Sequence, residues 1–189
     1  MPWTNPVAVS VGELYTATKY NAQVKDDLIH LHETHGPLWV PACEWADGGV
    51  LALTERSSGL TAYVGAAYLN GASDTLREAT RIVPDNWISG GFTVKVHWTQ
   101  SATGAGNVRW QFYYLFRSAN SSLIAAKTEL AVTAAAPAVA DQETITTIGT
   151  TAAPTAGQII LMTIRRNAAD SLDTLVDNVF MVGLELEYI

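Results

Sequence analysis

Seven residues from Phe92 to Trp98 alternate apolar and polar without a break. Phe92, Val94, Val96 and Trp98 make one row, and Thr93, Lys95 and His97 make the other. From Val108 to Phe116 the pattern returns. Val108, Trp110, Phe112, Tyr114 and Phe116 form an apolar row against Arg109 and Gln111. Successive side chains of a strand point to opposite faces, so a period of two marks strands with one buried and one wetter face. Such strands belong to antiparallel sheets packed on one side. The loop between them, residues 100–107, is small and polar with Gly104 and Gly106, and reads as a hairpin.

Ahead of residue 45 the rhythm differs. Pro2 and Pro6 keep the first residues extended, and 7–11 is a short strand or an arm. Thr16 is a suitable N-cap. Ala17, Tyr20, Val24, Leu28 and Leu31 follow at helical spacing, which predicts one amphipathic helix over about 16–33, ended by Gly36-Pro37. A helix of this length is marginal alone and must dock on something. Leu38 to Asp47 reads as an irregular connector that plugs the rings of Trp39 and Trp45 into a neighbour. The organisation expected is therefore an arm, 1–45, and a β body, 46–189.

Within the body, 50–53 and Thr61 to Tyr68 are strand candidates around a turn at Arg56-Ser57-Ser58-Gly59. Asn70-Gly71 and Pro84-Asp85-Asn86-Trp87 are turn signals, and 73–81 is mixed. Ala131 to Gly157, rich in Ala, Thr and Pro, reads as long surface loop with one short strand, Glu143 to Ile148. Residues 158–166 and 178–189 close the domain as strands, the last with Phe180, Val182, Leu184, Leu186 and Tyr188 in one row. About eight strands with irregular connections predict a mainly β fold: a two-sheet antiparallel jelly-roll sandwich with an N-terminal α-helical arm. An immunoglobulin-like sandwich is second, lacking the Cys–Trp–Cys pattern.

Composition narrows the function. The 189 residues are 48% hydrophobic and only 15% charged, which points to surface buried against other chains. A net charge of −7 with no basic stripe argues against nucleic acid as a partner. No run of about 18 apolar residues exists, so no membrane partner is expected. The first six residues lack the basic and apolar regions of a secretory signal. Cys43 is the one cysteine, so no intrachain disulfide forms.

No catalytic constellation emerges, and neither a metal site nor a cofactor is expected. His30, His32 and His35 are the one metal-like cluster, but they lack a carboxylate or Cys at chelating spacing. Gly104-Ala105-Gly106 is not set between a strand and a helix, as a phosphate loop would be. Asp170, Asp173 and Asp177 lack the Ca²⁺-loop pattern and read as turn chemistry. Binding is the better reading. The helix stripe Tyr20, Val24, Leu28 and Leu31, with Trp3, Trp39 and Trp45 in irregular segments, forms a candidate interface that docks the arm. A lectin-type alternative uses Tyr63, Trp87 and the Asp170 to Asp177 turn.

Three segments carry a family resemblance. Val11-Gly12-Glu13-Leu14-Tyr15-Thr16-Ala17-Thr18-Lys19-Tyr20-Asn21, with the helix Val24 to Leu31 behind it, resembles the N-terminal segment of many tailed-bacteriophage virion proteins. Ile82 to Trp87, followed by Gly91 and the strand to Trp98, and the C-terminal run from Ile160 to Tyr188 are similar to parts of small phage jelly-roll domains. The resemblance implies a homotrimer on the virion, assembled in the host cytoplasm, with the major capsid protein or another virion protein as partner. A capsid decoration protein acting by assembly is the expectation. A tail- or fibre-associated jelly roll binding a receptor or carbohydrate is the alternative.

Overall fold

The computed structural model describes residues 37–47, 53–58, 61–68, 76–85, 87 and 89–189. The expected helix over 16–33, the arm strand at 7–11, and Trp3, Tyr20, Val24, Leu28 and Leu31 lie outside the described residues. So does the turn signal at Asn70-Gly71.

Eleven strands are described: β1 (Leu38–Pro41), β2 (Ala46–Asp47), β3 (Leu53–Ser58), β4 (Thr61–Tyr68), β5 (Arg77–Ile82), β6 (Phe92–Gln100), β7 (Asn107–Arg117), β8 (Thr128–Ala135), β9 (Thr144–Thr150), β10 (Ile159–Arg166) and β11 (Val179–Tyr188). Among the described residues they make two antiparallel sheets. The first runs β3-β4-β11-β6-β9, with β1 also paired to β11, and the second runs β2-β5-β10-β7-β8. From β8 onward the chain changes sheet at every step, which gives a jelly-roll-like sandwich.

The alternating rows do what their period demands. Phe92, Val94, Val96 and Trp98 from β6 are buried against Val108, Trp110, Phe112 and Tyr114 from β7. Trp98 and Trp110 meet edge to face at 5.8 Å, a geometry worth about 0.5–1.5 kcal/mol beyond area burial. The Trp98 indole N–H donates to Thr146 Oγ1 at 2.9 Å, so the ring enters the core without an orphaned donor.

Several expectations are corrected. Residues 100–107 are not a hairpin, because β6 and β7 belong to different sheets. Alternation shows which residues are buried but not which sheet buries them. The loop crosses the sandwich, and Gly106 is there because a Cβ would come within 2.8 Å of Leu175 Cα. Residues 131–135, expected as loop, belong to β8, an edge strand whose small Ala and Thr side chains give little alternation to read. Arg56 to Ser58 belong to β3 rather than to a turn. Leu38 to Asp47 is no irregular connector: it is β1, a 3-10 turn at Ala42–Glu44, and β2. The 3-10 turn carries the chain from the first sheet to the second, and Trp45 fills the space beneath it. Its ring is fully buried and its N–H donates to Val40 O at 3.2 Å. Trp45 is therefore part of the core cluster rather than a ring on an irregular connector.

The acidic turn is also part of the scaffold. Arg166 and Asp173 are both about 1% exposed at their side chains. Arg166 donates Nε–H to Asp173 Oδ2 at 2.9 Å and Nη2–H to Oδ1 at 2.7 Å, and it also bonds the carbonyls of Leu175 and Asp177. The Arg109 N–H donates to the same carboxylate at 3.0 Å. Removing one member of such a pair strands a buried charge. Asp173→Ala is expected to cost about 3–5 kcal/mol in urea denaturation, a loss that a turn of solvated aspartates would not show.

Candidate binding face

The outer face of the first sheet holds an exposed aromatic ring beside a chain of ionisable groups. It is built by register. In β11 the core residues Val179 and Met181 alternate normally, and then a bulge between Met181 and Gly183 shifts the phase. Beyond it Leu184 and Leu186 point inward, so Gly183, Glu185 and Glu187 point outward. The expected row of Phe180, Val182, Leu184, Leu186 and Tyr188 is thus broken at its first two members. Both its sequence neighbours alternate, and no turn residue marks the extra residue.

β1 lies on one edge of β11 with Trp39 opposite Glu185, and β6 lies on the other with His97 opposite Gly183 and Lys95 opposite Glu185. β9 follows, with Ile145 opposite His97 and Thr147 opposite Lys95. Trp39, Glu185, His97 and Ile145 therefore form a band across four strands, about 14 Å at the usual strand spacing. Trp39 is 41% exposed and Ile145 55%.

The ring is seated rather than dangling. A Cβ at Gly183 would overlap the Trp39 indole carbons, so glycine lets the ring lie against the sheet. Trp39 meets the His97 ring edge to face at 4.8 Å and 89°. His97 Nδ1 lies 2.8 Å from Glu143 Oε1, and Nε2 lies 3.0 Å from Glu185 Oε2. Ionised carboxylates only accept, so both contacts are hydrogen bonds when both ring nitrogens carry protons. Lys95 Nζ donates to Glu185 Oε1 at 3.0 Å and reaches Glu187 Oε2 at 2.8 Å. Glu143 is bound to the sheet through His97, and Glu187 through Lys95.

This cluster carries the described charge perturbations of the face. Burial alone pushes the Glu185 carboxyl up, but hydrogen bonds from Lys95 and His97 outweigh it and hold the group below its ordinary value. Hydrogen bonds to Glu187 and Glu185 hold the Lys95 ammonium above its own. Away from this face, burial raises the Tyr188 phenol.

The two carboxylates nearest the Trp39 ring are separated by an imidazole. Glu143 and Glu185 face each other across the His97 ring, which fills the gap a scissile glycosidic bond would need. His97 is the one histidine among the described residues, and carboxylates take both its nitrogens. Among the described residues no group of three His, Cys, Asp or Glu side chains is placed to hold a metal ion.

The lectin-type site expected from sequence is not assembled. Trp87 packs between Phe92 and Tyr188, at 4.7 and 5.1 Å. The Asp170 to Asp177 turn is tied to Arg166 and Arg109. Trp87 sits at the Phe116 end of β7 through Phe92, and the acidic turn sits at the Arg109 end, so most of a strand, about 20 Å, separates them. The side chain of Tyr63 lies outside the described residues. Of the expected anchors, Trp39 is the described one that is exposed. His97, Glu185, Glu143 and Lys95 were missed as site residues. The outward alternation of Lys95, His97 and Glu185 was readable, but their convergence with Glu143 on Trp39 depends on pairing.

No family model matches this chain, and no curated protein does. Among solved structures, the fold is similar to a Podospora anserina mannanase carrying a family 35 carbohydrate-binding module, at 12% identity and TM-score 0.44. That match covers 82% of this chain and 28% of the mannanase, so the chain spans little more than a quarter of that enzyme. It is also similar to a family 28 module specific for non-crystalline cellulose, at 9% identity and TM-score 0.40, over 80% of this chain and 88% of the module. A third is a family 61 module in complex with β-1,4-galactotriose, at 11% identity and TM-score 0.38, over 79% and 91%. Likeness at this level assigns no ligand.

The sign of the pH dependence follows from the shifts. Folding lowers the Glu185 pKa, so its contribution is fully present above the ordinary value of 4.5 and is lost as pH falls through the native value. Folding raises the Lys95 pKa, so its contribution is present below 10.5 and is lost as pH rises through the native value. Urea midpoints measured against pH should fall on the acid side in the wild type and fall less steeply in Glu185→Gln. Identical slopes would show that the cluster does not form.

Proposed function

We propose that this chain is a non-catalytic recognition module that binds carbohydrate on the outer face of its first sheet. The observation that carries the reading is the exposed Trp39 ring, held against Gly183 and His97 beside a fixed array of polar groups. Pyranose rings present an apolar C–H face and a hydroxyl rim. An indole that buries the first, next to carboxylates that accept from the second, matches that chemistry. A preformed platform also loses little side-chain freedom on binding. The sequence resemblance supports a virion setting, with the module on a tail or fibre. Titration calorimetry with soluble oligosaccharides tests the reading. Trp39→Ala should weaken binding at least about tenfold while leaving the urea midpoint close to wild type, because the ring is not in the core. Unchanged affinity would remove Trp39 from the site and this reading with it.

A second reading, a virion decoration protein working by homo-oligomeric assembly, draws on a different surface. Leu123 and Ile124 stand exposed on the loop after β7, Ile124 at 93%, and with Ala79, Leu161 and Met162 they line a cleft of about 360 Å³. Exposed apolar groups around a cleft suit burial by a protein surface. A stable contact would need to bury at least about 1,000 Å² in total. Mass measurement of the full chain in solution should give a trimer under this reading. A monomer at micromolar concentration would argue against it.

A further inference from the structure

We infer that the face selects neutral saccharides and rejects anionic ones, an inference that rests on the carbohydrate-binding reading. The charge balance of the site decides it. Three carboxylates, Glu143, Glu185 and Glu187, surround one ammonium and one imidazole. Both basic groups are already paired with carboxylates of the face. Lys95 is held by Glu185 at 3.0 Å and Glu187 at 2.8 Å, and His97 is held between Glu143 and Glu185. What remains turned to solvent is acceptor-rich. The Glu143 and Glu187 side chains are 57% and 49% exposed, so their carboxylates can still take hydrogen bonds. Thr147 adds an exposed hydroxyl in the same band.

Carboxylates accept and cannot donate, so the fitting ligand brings donors, which sugar hydroxyls do. The carboxylate of a uronate or sialyl unit, or a phosphoryl group, brings acceptors and a like charge where the face already presents carboxylates, against a chain of net charge −7. The apolar ends of the band, Trp39 and Ile145, take the C–H faces of the ligand, and neither offers a charge partner. Hydrogen bonds from neutral hydroxyls are also insensitive to screening, whereas exclusion of an anion weakens as salt shortens the Debye length.

Calorimetry on the full chain tests this with three probes of matched length: neutral gluco-oligosaccharides, oligogalacturonate and chitosan oligomers. Neutral binding that exceeds oligogalacturonate binding at least about tenfold, and changes little with added salt, supports the inference. The double variant Glu143→Gln/Glu187→Gln should narrow the gap by admitting oligogalacturonate. Oligogalacturonate binding as tight as neutral binding overturns the charge selection and leaves the carbohydrate reading intact. Binding of chitosan alone overturns it too, since the acceptors would then serve a cation. Failure of all three probes, together with an empty array of neutral and acidic glycans, overturns the carbohydrate reading itself.

Discussion

The bulge after Met181 decides what both faces of the first sheet are. β11 is hydrogen-bonded along both edges, to β4 and β1 on one side and β6 on the other. With strict alternation from Val179, its last residues would turn Gly183, Glu185 and Glu187 into the core and Leu184 and Leu186 out to water. One extra residue reverses that. It lets one strand contribute Met181 and Leu186 to the same core while its carboxylates face outward. Gly183 then sits where β1 brings Trp39 across, and the absence of a Cβ there allows close approach of the ring. The apolar core and the polar face are thus two outcomes of a single register choice.

Exposed ion pairs add little to stability, since solvent screens them and long side chains lose freedom in making them. The Lys95–Glu185–His97–Glu143 chain is better understood as fixing positions. Each group holds the next at 2.8–3.0 Å, so the side chains around Trp39 are ordered before any ligand arrives. The Arg166–Asp173 pair plays the buried counterpart at an end of the sandwich, where it ties the acidic turn to β10 and to β7.

Much of the sandwich was legible wherever side chains alternate strongly in size and polarity. β6 and β7 could be read almost residue by residue, and β4 was placed at its observed limits. Legibility failed where alternation is weak or where the answer depends on distant pairing. Ala131 to Ala135 offer no contrast, so β8 was hidden. The two glycines near 105 suggested a tight turn, whereas Gly106 marks close approach to Leu175 in a crossing between sheets. Trp39 and Trp45 looked alike, two rings in a Pro- and Trp-bearing segment. The 3-10 turn between them separates their fates, because it moves the chain from one sheet to the other and drops Trp45 inside. Trp39 was legible as a ring outside the core rows, and it is exposed. Its neighbours were not, because His97 and Glu185 are 88 residues apart and meet only through the β6–β11 register.

The two functional readings do not compete for the same residues. The Trp39 band lies on the outer face of the first sheet. The Leu123–Ile124 cleft is lined by residues of β5 and β10 of the second sheet and by the loop after β7. A sandwich core separates the outer faces of its two sheets by roughly 10 Å plus the sheets themselves. A second copy of the chain seated on the second sheet would leave the aromatic band uncovered. A homo-oligomer would then repeat the band once per copy. Each site can be weak under such repetition, since linked sites raise the effective concentration for the next contact. A platform with one exposed indole among the described residues, a weak binder alone, suits a module that acts in numbers.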